Sequence, residues 1–405
     1  MNQRPATTRP AAPAGGSPRI GSARLGVGLA AAGAGIGVAT LLITGDGARL
    51  AWSYLVAYMF ALSVSLGALF FVLLHHLTGA RWSTSIRRLA EVLMMNLWPL
   101  AVLFLPILYW MPSLFEWAGP IEAAGNPELL AHKAAYLNPT AFTARAILYF
   151  AVWLGLATLM WRRSLEQDAA GRPESAASMR RWSAPGMILL GLTLTFASFD
   201  WLMSLDPYWF STIFGVYYFS GAAVAIMAAL ILTAAAAGAR GPMRPMITTE
   251  HFHDLGKLLF GFVIFWAYIA YSQMMLVWMA NLPEETIWYH HRWQPGSWRA
   301  FGWFLLAGHF VLPFLVLLPR TVKRARVALA LAAAWLLAFH YADLYWLAMP
   351  ALDPGAVPFH PAADLGSAAA LGLIFVGLTI LRLSRRSPVP LRDPYLAESL
   401  TYRNH

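Results

Sequence analysis

Ten long apolar stretches separated by polar gaps run through the chain: Leu25 to Ile43, Leu50 to Leu77, Leu89 to Trp110, Ala141 to Trp161, Ala184 to Ser204, Trp209 to Ala237, Leu255 to Ala280, Ala300 to Pro319, Val327 to Met349 and Leu365 to Leu381. Most exceed the roughly 20 residues that a helix needs to cross about 30 Å of hydrocarbon. None shows the two-residue alternation of barrel strands, and backbone amides in lipid must be satisfied within their own segment. The pattern therefore predicts an all-α integral membrane fold with ten transmembrane helices.

The polar gaps fall into two kinds. Of the 29 Lys and Arg, 24 lie in the N-terminal tail (Arg4, Arg9, Arg19, Arg24), the second gap (Arg81, Arg87, Arg88), the fourth (Arg162, Arg163, Arg172, Arg180, Arg181), the sixth (Arg240, Arg244, Lys257), the eighth (Arg320, Lys323, Arg324, Arg326) and the C-terminal tail (Arg382, Arg385, Arg386, Arg392, Arg403). The remaining gaps carry only Arg49, Lys133, Arg145, Arg292 and Arg299 against 11 Asp and Glu, 5 − 11 = −6. Because basic loops stay on the cytoplasmic side, both termini are expected inside. The first stretch has a basic lead-in, as a cleaved signal would, but its 19 apolar residues with five glycines suit a packed helix better.

Composition agrees with lipid as the solvent: 59% of 405 residues are hydrophobic, 12% are charged and 18 are Trp. The net charge of +10 is then a topology signal, and no nucleic-acid partner is implied. With no cysteine, the chain can hold no disulfide, thiolate cluster or c-type haem attachment. A redox centre would belong to a partner or be a haem held by His. The Pro-rich start and the stretch after Ser384 read as soft tails. Two long outer gaps, 111–140 with Glu116, Glu122 and Glu128, and 281–299 with Glu284, Glu285, His290 and His291, are rich in Trp. They suit either an interfacial aromatic belt or the docking of an extrinsic protein.

Segments two to five can be laid over segments six to nine. Asp200 and Asp343 sit at the same offset in the fifth and ninth, and Leu-Asp-Pro follows each, at Leu205 to Pro207 and Leu352 to Pro354. An ionisable residue inside such a segment costs roughly 2.5–3.5 kcal/mol on insertion scales, so each needs a reason. Asp200 and Arg145 share a depth near the outer side and can pair. At the inner end of the first half stand Glu91, His75 and His76. Adjacent helical side chains diverge by about 100°, so only one of the two histidines is expected to face the bundle, the other meeting headgroups. In the second half His309 and His340 share a depth, and Asp343 lies one turn beyond His340. His251, His253, Asp254 and Lys257 mark the inner mouth of the seventh segment. Carboxylates beside imidazoles in low dielectric are the material of a proton relay. The same residues could instead satisfy one another and fix helix register.

Two stretches carry a family signal: Ser198 to Phe219, SFDWLMSLDPYWFSTIFGVYYF, and Tyr271 to Tyr289, YSQMMLVWMANLPEETIWY. They closely resemble the second NrfD-like integral subunit of bacterial alternative complex III, a quinol:cytochrome c oxidoreductase, and the resemblance extends over nearly all ten segments. It implies two four-helix bundles, segments two to five and six to nine, flanked by the first and tenth. The resulting division is 1–24 a disordered cytoplasmic arm, 25–49 the first flanking helix, 50–208 one bundle, 209–364 the other, 365–383 the second flanking helix and 384–405 a cytoplasmic tail. It also implies a bacterial inner-membrane protein with no redox centre, metal or catalytic residue of its own, with quinol binding left open. The implied partners are the other NrfD-like integral subunit, an iron–sulfur protein and haem c proteins on the outer face, with lipid around. In this reading Asp343, His340, His309, Asp200 and Arg145 are outer parts of two polar half-paths, and His253, Asp254, Glu91 and His76 are inner parts. Two other classes stand beside it: a quinol-binding anchor of the polysulfide-reductase type in another oxidoreductase, and a secondary transporter.

Overall fold

The computed structural model describes residues 20–403 apart from 121, 123, 172, 240–242, 294 and 295; most of the N-terminal arm therefore lies outside the described residues. Among the described residues, ten helices are long and apolar enough to cross a membrane: α1 (Ala23–Thr44), α2 (Gly47–Thr78), α3 (Thr84–Tyr109), α4 (Pro139–Ala170), α5 (Glu174–Leu205), α6 (Phe214–Ala239), α7 (Thr249–Ala280), α8 (Ser297–Leu317), α9 (Arg326–Ala351) and α10 (Pro361–Arg385). No strand occurs among the described residues. Each predicted stretch is a helix, and several run past their apolar cores. Thus α7 starts six residues before Leu255, where Thr248 and His251 cap each other's backbone in a reciprocal box.

Packing radiates from α2, nearly all of which is buried. It contacts α3, α5, α6, α9 and α10; α3 meets α4 and α4 meets α5, while α6 meets α7 and α9, and α8 lies against α7 and α9. The α1–α10 pair docks on α2 from one side. Glycine lets these backbones approach: a Cβ on Gly33 would lie 2.6 Å from the Ala370 carbonyl, and one on Gly67 2.5 Å from that of Ala222.

The irregular helices are repaired by their neighbours. Pro99 and Pro106 break α3 into short pieces, and the Tyr58 and Tyr54 hydroxyls of α2 donate to the Leu100 and Leu103 carbonyls at 2.9 and 2.6 Å. In hydrocarbon an unsatisfied carbonyl would cost several kcal/mol, so these tyrosines make the break tolerable. In α8 a π-helical turn spans Leu306–Val311, ahead of Pro313, and the Trp335 indole donates to the Gly308 carbonyl at 2.7 Å.

Basic and acidic gaps gather at opposite ends. At one end Arg87 binds Asp393 (2.6 Å), Arg88 binds Asp168, His251 meets Ser85 and Ser399, Arg324 binds Glu250, and the Ile20 amide donates to Leu383. At the other, Arg49 binds Asp364 (2.7 Å), Lys133 donates to Pro207, Trp209 to Glu285 and Trp298 to Asp353. Residue 20 and the C-terminal residues thus share an end.

Two expectations need correcting. The stretch after Ser384 is not soft: Val389 and Ser399 are fully buried, and Leu396–Thr401 is helical. It is held by polar bonds to Arg87, Ser85 and Trp82 rather than by an apolar pattern. Nor does either His75 or His76 reach headgroups. Both are buried, their ring centroids 4.9 Å apart, because α2 has neighbours in every direction and diverging side chains still point inward.

The α1–α10 seam gives a direct test. Because the chain has no cysteine, Ile20→Cys with Leu383→Cys supplies a unique pair for a short bifunctional maleimide. Cross-linking should be efficient in the otherwise native protein and fall several-fold when Gly33→Leu is added. An unchanged yield would contradict the close approach.

Candidate functional site

A buried polar cluster lies where α6, α7, α8 and α9 face α2. Asp343, on α9, accepts from the Tyr217 hydroxyl of α6 at 2.7 Å and from the Trp266 indole of α7 at 3.1 Å. Trp266 in turn packs on His309, their ring centroids 4.0 Å apart, and His309 lies 6.3 Å from His340. His340 Nε2 sits 2.9 Å from Ser63 Oγ of α2, so the cluster reaches into the first half of the chain. All of these side chains are buried except for slight exposure of Tyr217 and Trp266. Gly221 is what admits His340, since a Cβ there would meet its ring at 2.6 Å; Gly308 likewise leaves room for Phe339.

His309 is carried by the π turn of α8, and neither of its ring nitrogens has a hydrogen-bond partner among the described residues; the same holds for His340 Nδ1. A buried polar atom without a partner costs about 1–3 kcal/mol, so a further hydrogen-bonding group at any of these three nitrogens would be stabilising. The carboxylate, by contrast, binds neither imidazole. Sequence spacing put Asp343 beside His340, but a tyrosine and a tryptophan from other helices take up its oxygens.

The second aspartate is built differently. Arg145 clamps Asp200 with Nε and Nη2 at 2.8 and 2.9 Å, and the Tyr149 hydroxyl donates to it at 2.7 Å. The guanidinium also lies 3.8 Å over the Tyr136 ring. Burial, followed by the Asp200 charge, pushes the Tyr136 phenol well above its ordinary value. Tyr136 borders a groove of about 420 Å³, with Lys133, Phe199, Trp209 and Phe210 in its wall. Both α5 and α9 close in a 3₁₀ turn, Met203–Leu205 and Met349–Ala351, ahead of their Leu-Asp-Pro repeats, so the local echo is structural as well as sequential.

At the opposite end Glu91 is wholly enclosed by ions. Arg87 reaches it at 2.8 Å, Arg88 at 3.1 Å, and Ser164 donates to both oxygens. His76 Nε2 has no partner among the described residues, so no hydrogen bond ties it to Glu91. Asp254 pairs with Lys257, and His253 Nδ1 lacks a partner among the described residues. The structure therefore brings together Asp343, His309 and His340 in one cluster and Asp200 with Arg145 in another, and keeps the inner residues apart.

Tyr217, Trp266, Ser63 and Tyr149 were missed as participants. Tyr217 stands inside the SFDWLMSLDPYWFSTIFGVYYF stretch, and Trp266 stands mid-helix, away from the interfaces where Trp is usual; those two signals were available. The stretches 198–219 and 271–289 meet in space. Trp209 stacks on Trp288 with centroids 4.6 Å apart and donates to the Glu285 carbonyl at 3.0 Å. Arg292 closes this layer, binding the Trp288, Trp346 and Leu347 carbonyls and lying 3.5 Å over the Trp288 ring. Burial pushes Arg292 down to about 9, which leaves it cationic at neutral pH at the end of α9, where the helix dipole favours a positive charge. Among the described residues no group of three or more His, Asp or Glu could hold a metal. No protein-family model matches the chain, and comparison with curated proteins finds no similar one.

The Asp200 clamp predicts a measurable asymmetry. Arg145→Ala should lower stability in detergent by about 2–3 kcal/mol, because a buried carboxylate loses its cation. Combining Asp200→Leu with Arg145→Met should recover most of that loss, since neither charge then remains to be compensated. Thermal denaturation of the three proteins reads both outcomes.

Proposed function

We propose that the chain is a NrfD-like integral subunit of a respiratory quinol:electron-acceptor oxidoreductase of the alternative complex III kind. It carries no redox centre, and its role is structural and proton-conducting. The observation that carries this reading is the Asp343–Tyr217–Trp266–His309–His340 cluster: titratable groups are enclosed in the bundle, and three ring nitrogens have no hydrogen-bond partner among the described residues. A buried imidazole near a carboxylate can take a proton at one ring nitrogen and release one from the other. Asp200 and Arg145 belong to the outer part of a second half-path, with His253, Asp254, Glu91 and His76 toward the inside.

Three further features support the reading. The packing of α2 with α3, α4 and α5, and of α7 and α9 with both α6 and α8, suits two four-helix bundles flanked by α1 and α10. The family-bearing stretches fold onto one another at the acidic end, where Glu284 and Glu285 offer charge to extrinsic haem c and iron–sulfur proteins. The basic end then faces the cytoplasm of a bacterial cell, with both termini inside. The breaks in α3 and the π turn in α8 fall at non-equivalent places in the two halves, which removes the symmetry that a transporter of this kind would use.

In the assembled, reconstituted complex, Asp343→Asn or His340→Phe should lower the number of protons moved per electron while subunit composition is kept. Unchanged stoichiometry would remove the relay and leave these residues as fixers of helix register. Purification in mild detergent tests the wider reading. Co-purifying haem c and iron–sulfur proteins support it, a molybdopterin partner would mean an anchor of the polysulfide-reductase type, and a chain isolated alone would favour a transporter.

A further inference from the structure

At the basic end cations outnumber carboxylates, and most of the described carboxylates are already held by a cation. Glu91 is taken by Arg87 and Arg88, Asp168 by Arg88, Asp393 by Arg87, Glu398 by Arg81, Glu250 by Arg324, Glu166 by Arg163 and Asp254 by Lys257. Among the cations with no ion pair to any described carboxylate, four arginines, Arg24, Arg382, Arg385 and Arg386, gather at the mouth of the α1–α10 seam. They share one level of the fold. The Ile20 amide bonds to the Leu383 carbonyl, and a Cβ on Gly26 would meet the backbone of Gly377 and Leu381, so the start of α1 lies against the end of α10. The described part of α1 has no acidic residue, and the one on α10, Asp364, is at the far end, bound to Arg49.

Arg382 is the deepest of the four. Half-buried, it donates to Asn96 Oδ1 of α3, and Asn96 is oriented by its own bond to Thr379 Oγ1 at 2.8 Å. An amide oxygen orients a guanidinium but does not neutralise it, and most of its five donors remain to be used. A phosphate answers both needs, since its oxygens match the guanidinium fork and supply the missing charge. The position at the end of two spanning helices is headgroup depth, and the outward face of α1 offers apolar Leu25 and Val27 to an acyl chain. We propose that this seam binds an anionic glycerophospholipid through its phosphate, with Arg382 as the anchor and Arg24, Arg385 and Arg386 supplying the surrounding field. The proposal needs only that the ten helices cross a membrane; it stands or falls separately from the respiratory reading.

The test uses the full chain with whatever subunits accompany it, delipidated in mild detergent and titrated with tetraoleoyl cardiolipin, with dioleoyl phosphatidylcholine and with sodium phosphate. Native mass spectrometry counts retained lipid, and thermal denaturation follows the shift. Cardiolipin should bind and stabilise, phosphatidylcholine should do so much less, and Arg382→Gln should weaken cardiolipin binding about tenfold, the worth of one charge-assisted bidentate contact. Arg244→Gln, which removes an exposed arginine elsewhere at the same end, should leave it unchanged. If Arg382→Gln does not accumulate, the Arg385→Gln, Arg386→Gln double variant gives the same readout by weakening the field. Equal affinities in the variants and the native protein would overturn the site. Sodium phosphate protecting as well as the lipid would overturn it in favour of a soluble anion, and loss of binding only when subunits are present would overturn it in favour of a partner's carboxylate.

Discussion

Hydrocarbon returns no hydrogen bonds, and most of the molecule is arranged around that. A chain that crosses lipid must close each polar account within itself. The helices do this for the backbone, but three places needed help, and each helper is an aromatic side chain with one polar atom. Tyr54 and Tyr58 mend α3 where its prolines open it, and Trp335 mends the π turn of α8. Tyr217 and Trp266 do the same for a side chain, holding Asp343 with a hydroxyl and an indole while their rings fill apolar space. A chain with so many Trp and Tyr therefore uses them as more than an interfacial belt: they are its internal hydrogen-bond donors.

Set against that rule, the exceptions stand out. His309 and His340 have nitrogens that no described residue meets, although a phenylalanine at either position would fill the volume without such a cost. Holding them in place requires Gly221 and Gly308, a π turn, and Trp266 packed against the imidazole. Asp200 shows the opposite economy. Every oxygen is bound, by Arg145 and Tyr149 of α4, so the contacts also tie α4 to α5. Two aspartates at equivalent offsets thus sit in environments suited to different ends, one closed by a cation and one by neutral donors beside idle imidazoles.

The sequence made the ten helices legible because length and hydropathy are local properties that lipid enforces residue by residue. The sorting of basic and acidic gaps was legible for the same reason, and the structure gathers them at opposite ends through Arg87–Asp393 and Arg49–Asp364. Spacing along one helix also brought His340 and Asp343 near each other, and depth matching paired Arg145 with Asp200. What sequence could not supply was the identity of cross-helix partners. Tyr217 and Trp266 are 126 and 77 positions from Asp343, and nothing in the local pattern of α9 points to them. The two adjacent histidines were misjudged because the angle between side chains says where they point and not whether a neighbour stands there. The C-terminal residues were misjudged because they are held by charge and hydroxyl contacts, which leave no hydrophobic period to read.

The bond between Arg87 and Asp393 has a consequence for how the molecule is made. Arg87 is synthesised 306 residues before its partner, together with Arg88, Glu91 and, later, Asp168. Until the last stretch leaves the ribosome, this buried knot holds two cations and two carboxylates, and Ser85 and His251 still lack the Ser399 hydroxyl. The segment from Asp393 to Ser399 thus acts as a latch across parts of the chain made long before it. Removing residues 393–403 would keep all ten helices but leave Arg87 without Asp393 and Ser85 without the Ser399 hydroxyl.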